Sequence, residues 1–192
     1  MNRILTPPPR LETPRLILRS FLPQDAPALA RLAGRREIAD TTLAIPHPYT
    51  ESHAREFIRE QAGLRTLGKA LAFAIELRTE REVIGAVGFK DIDHEHEQAE
   101  LGFWIGVDCW GQGYATESAR ALLLYGFQSL GLNRVHAHHM VKNPASGRVL
   151  NKLGMRHEGM LRQRIKKWGV FEDVILLAIL REDWPANSGD TQ

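Results

Sequence analysis

The chain has 192 residues, 43% of them hydrophobic, and its 25 lysines and arginines nearly balance 23 aspartates and glutamates, for a formal charge of +2. That length supports one buried core better than two, and so even a balance lacks the dense basic face of a nucleic-acid binder. One cysteine, Cys109, excludes an intrachain disulfide, the chain holds no apolar run of about 18 residues that would span a membrane, and the Pro7-Pro8-Pro9 start lacks the apolar segment of a secretory signal, so a cytoplasmic domain is expected.

Residues 1–9 read as a flexible N-terminus, 10–184 as the domain and 185–192, with Asn187, Ser188, Gly189 and Asp190, as a disordered tail. Residues 10–21 read as one strand, with Leu16 and Leu18 on one face and Arg15, Ile17 and Arg19 on the other. Pro23-Gln24-Asp25 opens a helix carrying Leu29, Leu32 and Ala33. Residues 41–49 hold Pro46 and Pro48 and read as a loop, after which Thr50 caps a second helix through Ala54, Phe57, Ile58 and Gln61. Short strands follow at 70–77, 82–92 and 99–107, an antiparallel meander because the connections are too short for crossovers. A long helix spans about 114–129, its apolar stripe formed by Ala115, Ala119, Leu122, Leu123, Phe127 and Leu130, with Gly131 as its stop. Residues 134–140 form a strand. Asn143-Pro144 is a helix start, a cap followed by proline at the first helical position, and Gly154 ends that helix. Strands at about 156–166 and 170–180 close an order of βααβββαβαββ, an α/β chain with a mixed sheet and helices on its faces.

The chemistry is concentrated in Trp110-Gly111-Gln112-Gly113-Tyr114-Ala115-Thr116-Glu117, between a strand and the long helix. Two glycines around one residue, then an alanine, let backbone amides turn toward a ligand. The helix behind them offers unpaired N–H groups and the positive end of its dipole, a site suited to a pyrophosphate. A tight turn with close packing would use the same residues. The segment has neither the Gly-Lys-Ser/Thr of an NTPase phosphate loop nor the third glycine of a dinucleotide fingerprint.

With this loop the chain resembles the GCN5-related N-acetyltransferase superfamily, whose coenzyme A motif reads Gln/Arg-x-x-Gly-x-Gly/Ala; Gly113 and Ala115 match, and Trp110 replaces the first residue. Three further segments resemble the ribosomal-protein N-terminal acetyltransferase (RimJ/RimL-like) branch: Leu11-Glu12-Thr13-Pro14-Arg15-Leu16-Ile17-Leu18-Arg19, Ala99-Glu100-Leu101-Gly102-Phe103-Trp104-Ile105, and Asn143-Pro144-Ala145-Ser146 with Lys152-Leu153-Gly154-Met155. The resemblance covers residues 11–184. It implies a mostly antiparallel sheet whose central strand pair splays, acetyl-coenzyme A as co-substrate, and transfer of its acetyl group to a primary amine by direct attack in a ternary complex.

The resemblance also implies site residues. Gly111, Gln112, Gly113, Tyr114, Ala115 and Thr116 should hold the coenzyme, with Asn143 and Ser146 on its pantetheine arm. Ile105, Gly106 and Val107 should offer the backbone N–H that polarises the thioester. Glu100 should draw the amine's proton off through water; the other reading is a glutamate on the solvated face of an edge strand. Alternation places Glu100, Gly102 and Trp104 on one face, opposite Leu101, Phe103 and Ile105. Where many relatives carry a tyrosine to protonate the leaving thiolate this chain has Leu150, and Ser146 is the substitute donor, although a first-turn serine also serves simply to satisfy an amide.

Thr42, Pro46, Tyr49, Phe103, Trp168 and Phe171 are expected to form the acceptor groove. The amine is expected to be a protein or peptide N-terminus; the rivals are a polyamine, amino acid or aminoglycoside, or no amine at all in a non-catalytic acyl-coenzyme A sensor. His136, His138 and His139 on one strand, and Asp93, His94, Glu95 and His96 in a turn, lack three ligands at a recognised metal spacing, so no metal is expected. Arg162, Arg164, Lys166 and Lys167 would attract a 3′-phosphate or an acidic partner, or simply cover an exposed edge. Phe103, Trp104, Trp168 and Phe171 are either core or a patch that pairs two copies as a homodimer.

Overall fold

A computed structural model describes residues 9–184; the expected tail, and the expected flexible start apart from residue 9, lie outside the described residues. The elements are β1 (Leu11–Glu12), β2 (Leu16–Arg19), a 3-10 turn (Pro23–Asp25), α1 (Ala26–Ala33), α2 (Arg36–Thr41), α3 (Glu51–Thr66), β3 (Leu71–Leu77), β4 (Val83–Asp93), β5 (Gln98–Ile105), a turn (Val107–Cys109), α4 (Tyr114–Gln128), β6 (Arg134–Met140), α5 (Pro144–Lys152), β7 (Arg156–Lys167), β8 (Val170–Leu180) and a final turn (Arg181–Asp183). The strands form one sheet in the order β1-β2-β3-β4-β5-β6-β8-β7. Every neighbouring pair is antiparallel except β5 with β6.

Most boundaries follow the sequence pattern, and the differences have local causes. The strand expected over 10–21 is a two-strand hairpin, because Thr13 folds back: its N–H donates to the Leu16 carbonyl at 3.0 Å and its hydroxyl accepts from the Leu16 N–H at 2.9 Å. Ile17 is as buried as Leu16 and Leu18, since both faces of β2 are covered. The loop expected from residue 41 begins one residue later, because α2, six residues long, intervenes and includes Thr41. Val107 has left the strand for the turn before the glycine loop.

Helices cover both faces of the sheet. On one face α4 and α5 pack Leu122, Leu123 and Leu150 against Phe73, Phe89, Leu101 and Leu177. On the other, α1 and α3 pack Leu29 and Ala54 against Ala74 and Val83, with Trp104 at the margin. Each fully buried leucine here stabilises the fold by about 2–5 kcal/mol against truncation to alanine. Since Trp104 lies toward α1 and α3, the two-residue period of β5 puts Glu100 on that same face. No helix among the described residues is long and apolar enough to cross a membrane.

Candidate functional site

Strands β5 and β6 pair over only three positions, Gln98 with Arg134, Ala99 with Val135 and Glu100 with His136. Beyond Glu100 each strand stays with its outer partner: β5 with β4 as far as Ile105 opposite Gly85, β6 with β8 as far as Met140 opposite Val174. The sheet therefore splits at Glu100 into a wedge. A cleft of about 530 Å³ opens there, lined from β5 by Phe103, Trp104 and Ile105, from the loop and α4 by Gly111, Gly113, Tyr114, Ala115 and Thr116, and from the start of α5 by Asn143 and Ser146.

The glycine loop is built for backbone presentation. Gly111 and Gly113 have φ of +75° and +83°, a region that costs other residues roughly 1–2 kcal/mol. A side chain at Gly111 would meet nothing within 4 Å, so the conformation and not crowding calls for glycine. Gly113 caps α4 with no side-chain bond to the first-turn N–H groups, which are left open toward the cleft. Trp110, where the family motif has glutamine or arginine, donates from its indole to the Ile105 carbonyl at 2.6 Å and tethers the loop to the end of β5.

A clasp absent from the sequence reading holds the loop from the other side. The Glu117 carboxylate accepts from the Thr13 hydroxyl at 2.6 Å and the Arg15 N–H at 3.0 Å, and it pairs with the Arg15 guanidinium at 2.6 Å. Arg15 also donates to the Gln112 carbonyl at 3.0 Å and lies 4.5 Å from the centre of the Tyr114 ring. Burial raises the Glu117 pKa, and the Thr13 and Arg15 contacts outweigh that to bring it below the ordinary value.

On the β5 wall the Gly106 N–H is committed to the Ile84 carbonyl at 2.7 Å. Strand alternation then turns the Phe103 and Ile105 N–H groups toward the β6 side, where pairing has ended. Ile105 lines the cleft, whereas Gly106, Val107 and Gln112 are not among its lining residues. On the α5 wall the Asn143 side chain accepts from the Ser146 N–H at 3.2 Å, as a cap does, and donates to the Thr41 carbonyl at 3.1 Å and to the Ser146 hydroxyl oxygen at 2.9 Å. With its oxygen accepting from Asn143, Ser146 keeps its own proton free to donate. Leu150 is packed in the core at 1% exposure, so no polar group stands where relatives place a tyrosine.

Glu100 is only 9% exposed, on the fifth of eight strands, which rules out a solvated edge position. Its carboxylate meets Lys90 at 2.9 Å and His138 at 3.2 Å, with His136 at 3.9 Å. Burial alone would raise its pKa, but the His138 and Lys90 contacts prevail and hold it at about 2. The β6 histidines thus find a third potential metal donor across the sheet, which spacing along the chain does not reveal.

The residues expected at the acceptor groove separate. Thr42 and Phe103 line the cleft, and Pro46, Tyr49, Trp168 and Phe171 do not. Tyr49 packs with α1 and α3. Trp168 donates to Asp40 at 2.5 Å, and Phe171 is exposed on the β7–β8 hairpin. Of the basic residues assigned to a phosphate, Arg162, Arg164 and Lys166 lie on the edge strand β7, and Lys167 donates to the Ile45 carbonyl at 3.0 Å. Lys142, Arg148 and Lys152 line the cleft instead; Arg148 and Lys152, four apart after a capped helix start, were the signal that would have found them.

A family model described as Acetyltransferase (GNAT) domain matches residues 15–156. An uncharacterised N-acetyltransferase of Bacillus licheniformis, p20, is 37% identical over 175 residues, 91% of this chain and 97% of that one. A ribosomal-protein-serine acetyltransferase of Escherichia coli is 31% identical over 129 residues, 67% of this chain and 71% of that one. Among solved structures, Mycobacterium smegmatis RimJ in complex with CoA-disulfide superposes with a TM-score of 0.82 at 25% identity, covering 88% of this chain and 84% of that one.

Proposed function

Since the chain belongs to the GNAT acetyltransferase family and is an N-acetyltransferase, we propose that its acetyl donor is acetyl-coenzyme A and its acceptor the α-amine of a protein or peptide N-terminus. The observation that carries the choice of acceptor is the charge of the cleft: Lys142, Arg148 and Lys152 are its charged lining residues, and none of the lining residues is acidic. A polyamine or aminoglycoside needs several carboxylates spread along its length. A peptide N-terminus brings only one positive charge and so makes no such demand; the carboxylate assigned to it is Glu100 at the wedge vertex, outside the cleft lining and beside Lys90. The ribosomal-protein acetyltransferases among the relatives support the same acceptor.

In this reading the open amides of the Gly111–Thr116 segment and the α4 N-terminus take the pyrophosphate, and Arg148 and Lys152 face the phosphates, Lys142 being paired with Glu172 at 2.6 Å. The pantetheine arm passes Asn143 into the wedge and brings the thioester carbonyl to the free N–H of Ile105 or Phe103. Glu100, ionised at any working pH, draws the amine in as ammonium. An α-amine has a pKa of about 7.7–8.0, so a sizeable neutral fraction exists near pH 7.5 and no strong base is required, unlike a lysine amine at about 10.4. The ammonium first loses one proton to solvent; the neutral nitrogen then bonds to the carbonyl carbon, the C–S bond breaks, the Ser146 hydroxyl donates a hydrogen bond to the departing thiolate, and the nitrogen's second proton leaves to solvent.

Coenzyme A thiol release from acetyl-coenzyme A tests this against peptides with free Ala, Ser or Met termini, the same peptides blocked at the N-terminus but carrying a lysine, spermidine and an aminoglycoside. Turnover on free-terminus peptides alone is expected. Turnover only on spermidine or the aminoglycoside overturns the acceptor, and acetyl-coenzyme A binding without turnover on any amine puts the sensor reading in its place. Unchanged turnover in the Glu100→Gln/Ser146→Ala double variant removes the mechanism.

A further inference from the structure

Among the described residues one cluster brings three metal-type donors together: Glu100, His136 and His138, whose ligand atoms all lie within 4.8 Å of one another. The fold produces it simply. Glu100 of β5 stands opposite His136 of β6 in the last paired position before the strands part. The two-residue period of β6 then brings His138 to the same face, one step into the wedge. Glu100 offers one oxygen to His138 Nδ1 at 3.2 Å and the other to His136 Nε2 at 3.9 Å. The two imidazoles are nearly perpendicular, at 86° with centres 5.6 Å apart.

An ion held at about 2.0–2.2 Å by each of three ligands leaves those ligand atoms roughly 3–4 Å apart; the two Glu100 oxygens lie 3.2 and 3.9 Å from their ring nitrogens, and with all three ligand atoms within 4.8 Å a small rotation of the side chains closes the set on one ion. Two imidazole nitrogens and one carboxylate suit zinc, whereas magnesium and calcium prefer oxygen-only shells. Two groups oppose a cation: the Lys90 ammonium, 2.9 Å from Glu100 Oε1, and at longer range the Arg134 guanidinium, whose charge acts on His136 and which is itself paired with Glu158 at 2.5 Å. The Lys90 side chain is 50% exposed, so its long stem can swing into water and surrender the carboxylate.

We propose that Glu100, His136 and His138 form a three-ligand Zn²⁺ site at the vertex of the wedge, and that zinc bound there competes with the acceptor amine. The binding half stands on the geometry alone. The inhibitory half rests on the reading of Glu100 as the anchor for the amine.

The untagged full-length chain is titrated with Zn²⁺ by calorimetry in chelator-free buffer, and with Co²⁺ while the visible spectrum is followed. One equivalent is expected to bind, with Co²⁺ bands of a four- or five-coordinate site. His136→Asn, His138→Asn and Glu100→Gln should each weaken binding roughly tenfold or more. Lys90→Met should tighten it, and this exposed position keeps the test open if a β6 variant misfolds. The control His94→Asn/His96→Asn, in the β4–β5 turn, should leave the affinity unchanged. Absence of one-equivalent binding at micromolar zinc, or binding that survives His136→Asn/His138→Asn, overturns the site. In the peptide assay Zn²⁺ should raise the apparent KM for the amine and EDTA should reverse this; zinc binding without that effect removes the inhibitory half only. Because binding is read without turnover, its failure is distinct from failure of the acceptor assignment.

Discussion

Arg15 is the residue through which the start of the chain should govern coenzyme binding 100 residues away in sequence, and Arg15→Ala tests it. The variant loses an ion pair to Glu117 at 2.6 Å, a hydrogen bond to the Gln112 carbonyl at 3.0 Å and the stacking on Tyr114. The Arg15 side chain is 48% exposed, so the pair is discounted to about 0.2–1 kcal/mol, and the cation–π contact adds about 0.5–1 kcal/mol. The sum, about 1–2 kcal/mol, corresponds to a Tm loss of roughly 2–8 °C for a chain of this size. The functional consequence falls on the loop, whose Gln112 carbonyl is released, and coenzyme A binding should weaken about three- to tenfold, or ~0.7–1.4 kcal/mol. Arg78→Ala is the control, because Arg78 ties the same hairpin through the Thr13 carbonyl at 2.9 Å without touching the loop. Thermal denaturation and calorimetric coenzyme A titration of both variants decide the matter. Equal losses of coenzyme affinity in the two would refute the clasp, since general loosening of the hairpin would then explain the effect.

Three further outcomes follow from side chains around this framework. Glu117 has a lowered folded pKa, so its stabilisation is complete above the unfolded value of about 4.3 and is lost as pH falls through the folded value; Glu117→Gln should be less stable than the parent near pH 7, and the gap should close in denaturant titrations toward pH 3. Arg19 bridges Asp25 at 2.8 Å and Glu76 at 2.6 Å, both carboxylates being nearly fully buried, so Arg19→Ala should cost about 3–5 kcal/mol by urea unfolding, and a loss under 1 kcal/mol would show that water reaches the pair. Cys109 lines the cleft, and burial followed by the charges of Asp108 and Glu82 pushes its thiol pKa up; at pH 7 iodoacetamide should modify it more slowly than glutathione and more slowly still with coenzyme A present, as read by mass spectrometry.

What could be read from the chain alone was what depends on local pattern. The α4 start, the Asn143 cap and the β3–β5 meander each rest on residues within a few positions of one another, so glycine, capping and alternation rules reach them. Thr13, Arg15 and Glu117 escaped because their meeting is set by sheet order, with Arg15 and Glu117 102 positions apart. The same holds for the third donor beside His136 and His138. Trp168 and Phe171 are expected in the groove as aromatic residues of the final strand pair. Hairpin geometry instead carries Phe171 to the surface and fastens Trp168 to Asp40.

The parting of β5 from β6 connects these observations. A parallel pair normally needs a covered crossover and continues as far as its strands allow, yet here pairing stops after three positions while both strands run on. The cost is a set of backbone N–H groups left without strand partners on the inner walls, and it is tolerable because the outer partners β4 and β8 keep each wall rigid. In the proposed mechanism those N–H groups serve the thioester carbonyl, and the last paired position is where a carboxylate is buried at the vertex of the wedge, next to the cleft lining. Glu100 occupies that position. A substitution that extended the β5–β6 pairing would therefore be expected to stabilise the sheet and abolish transfer together, the opposite signs arising from the same unpaired amides.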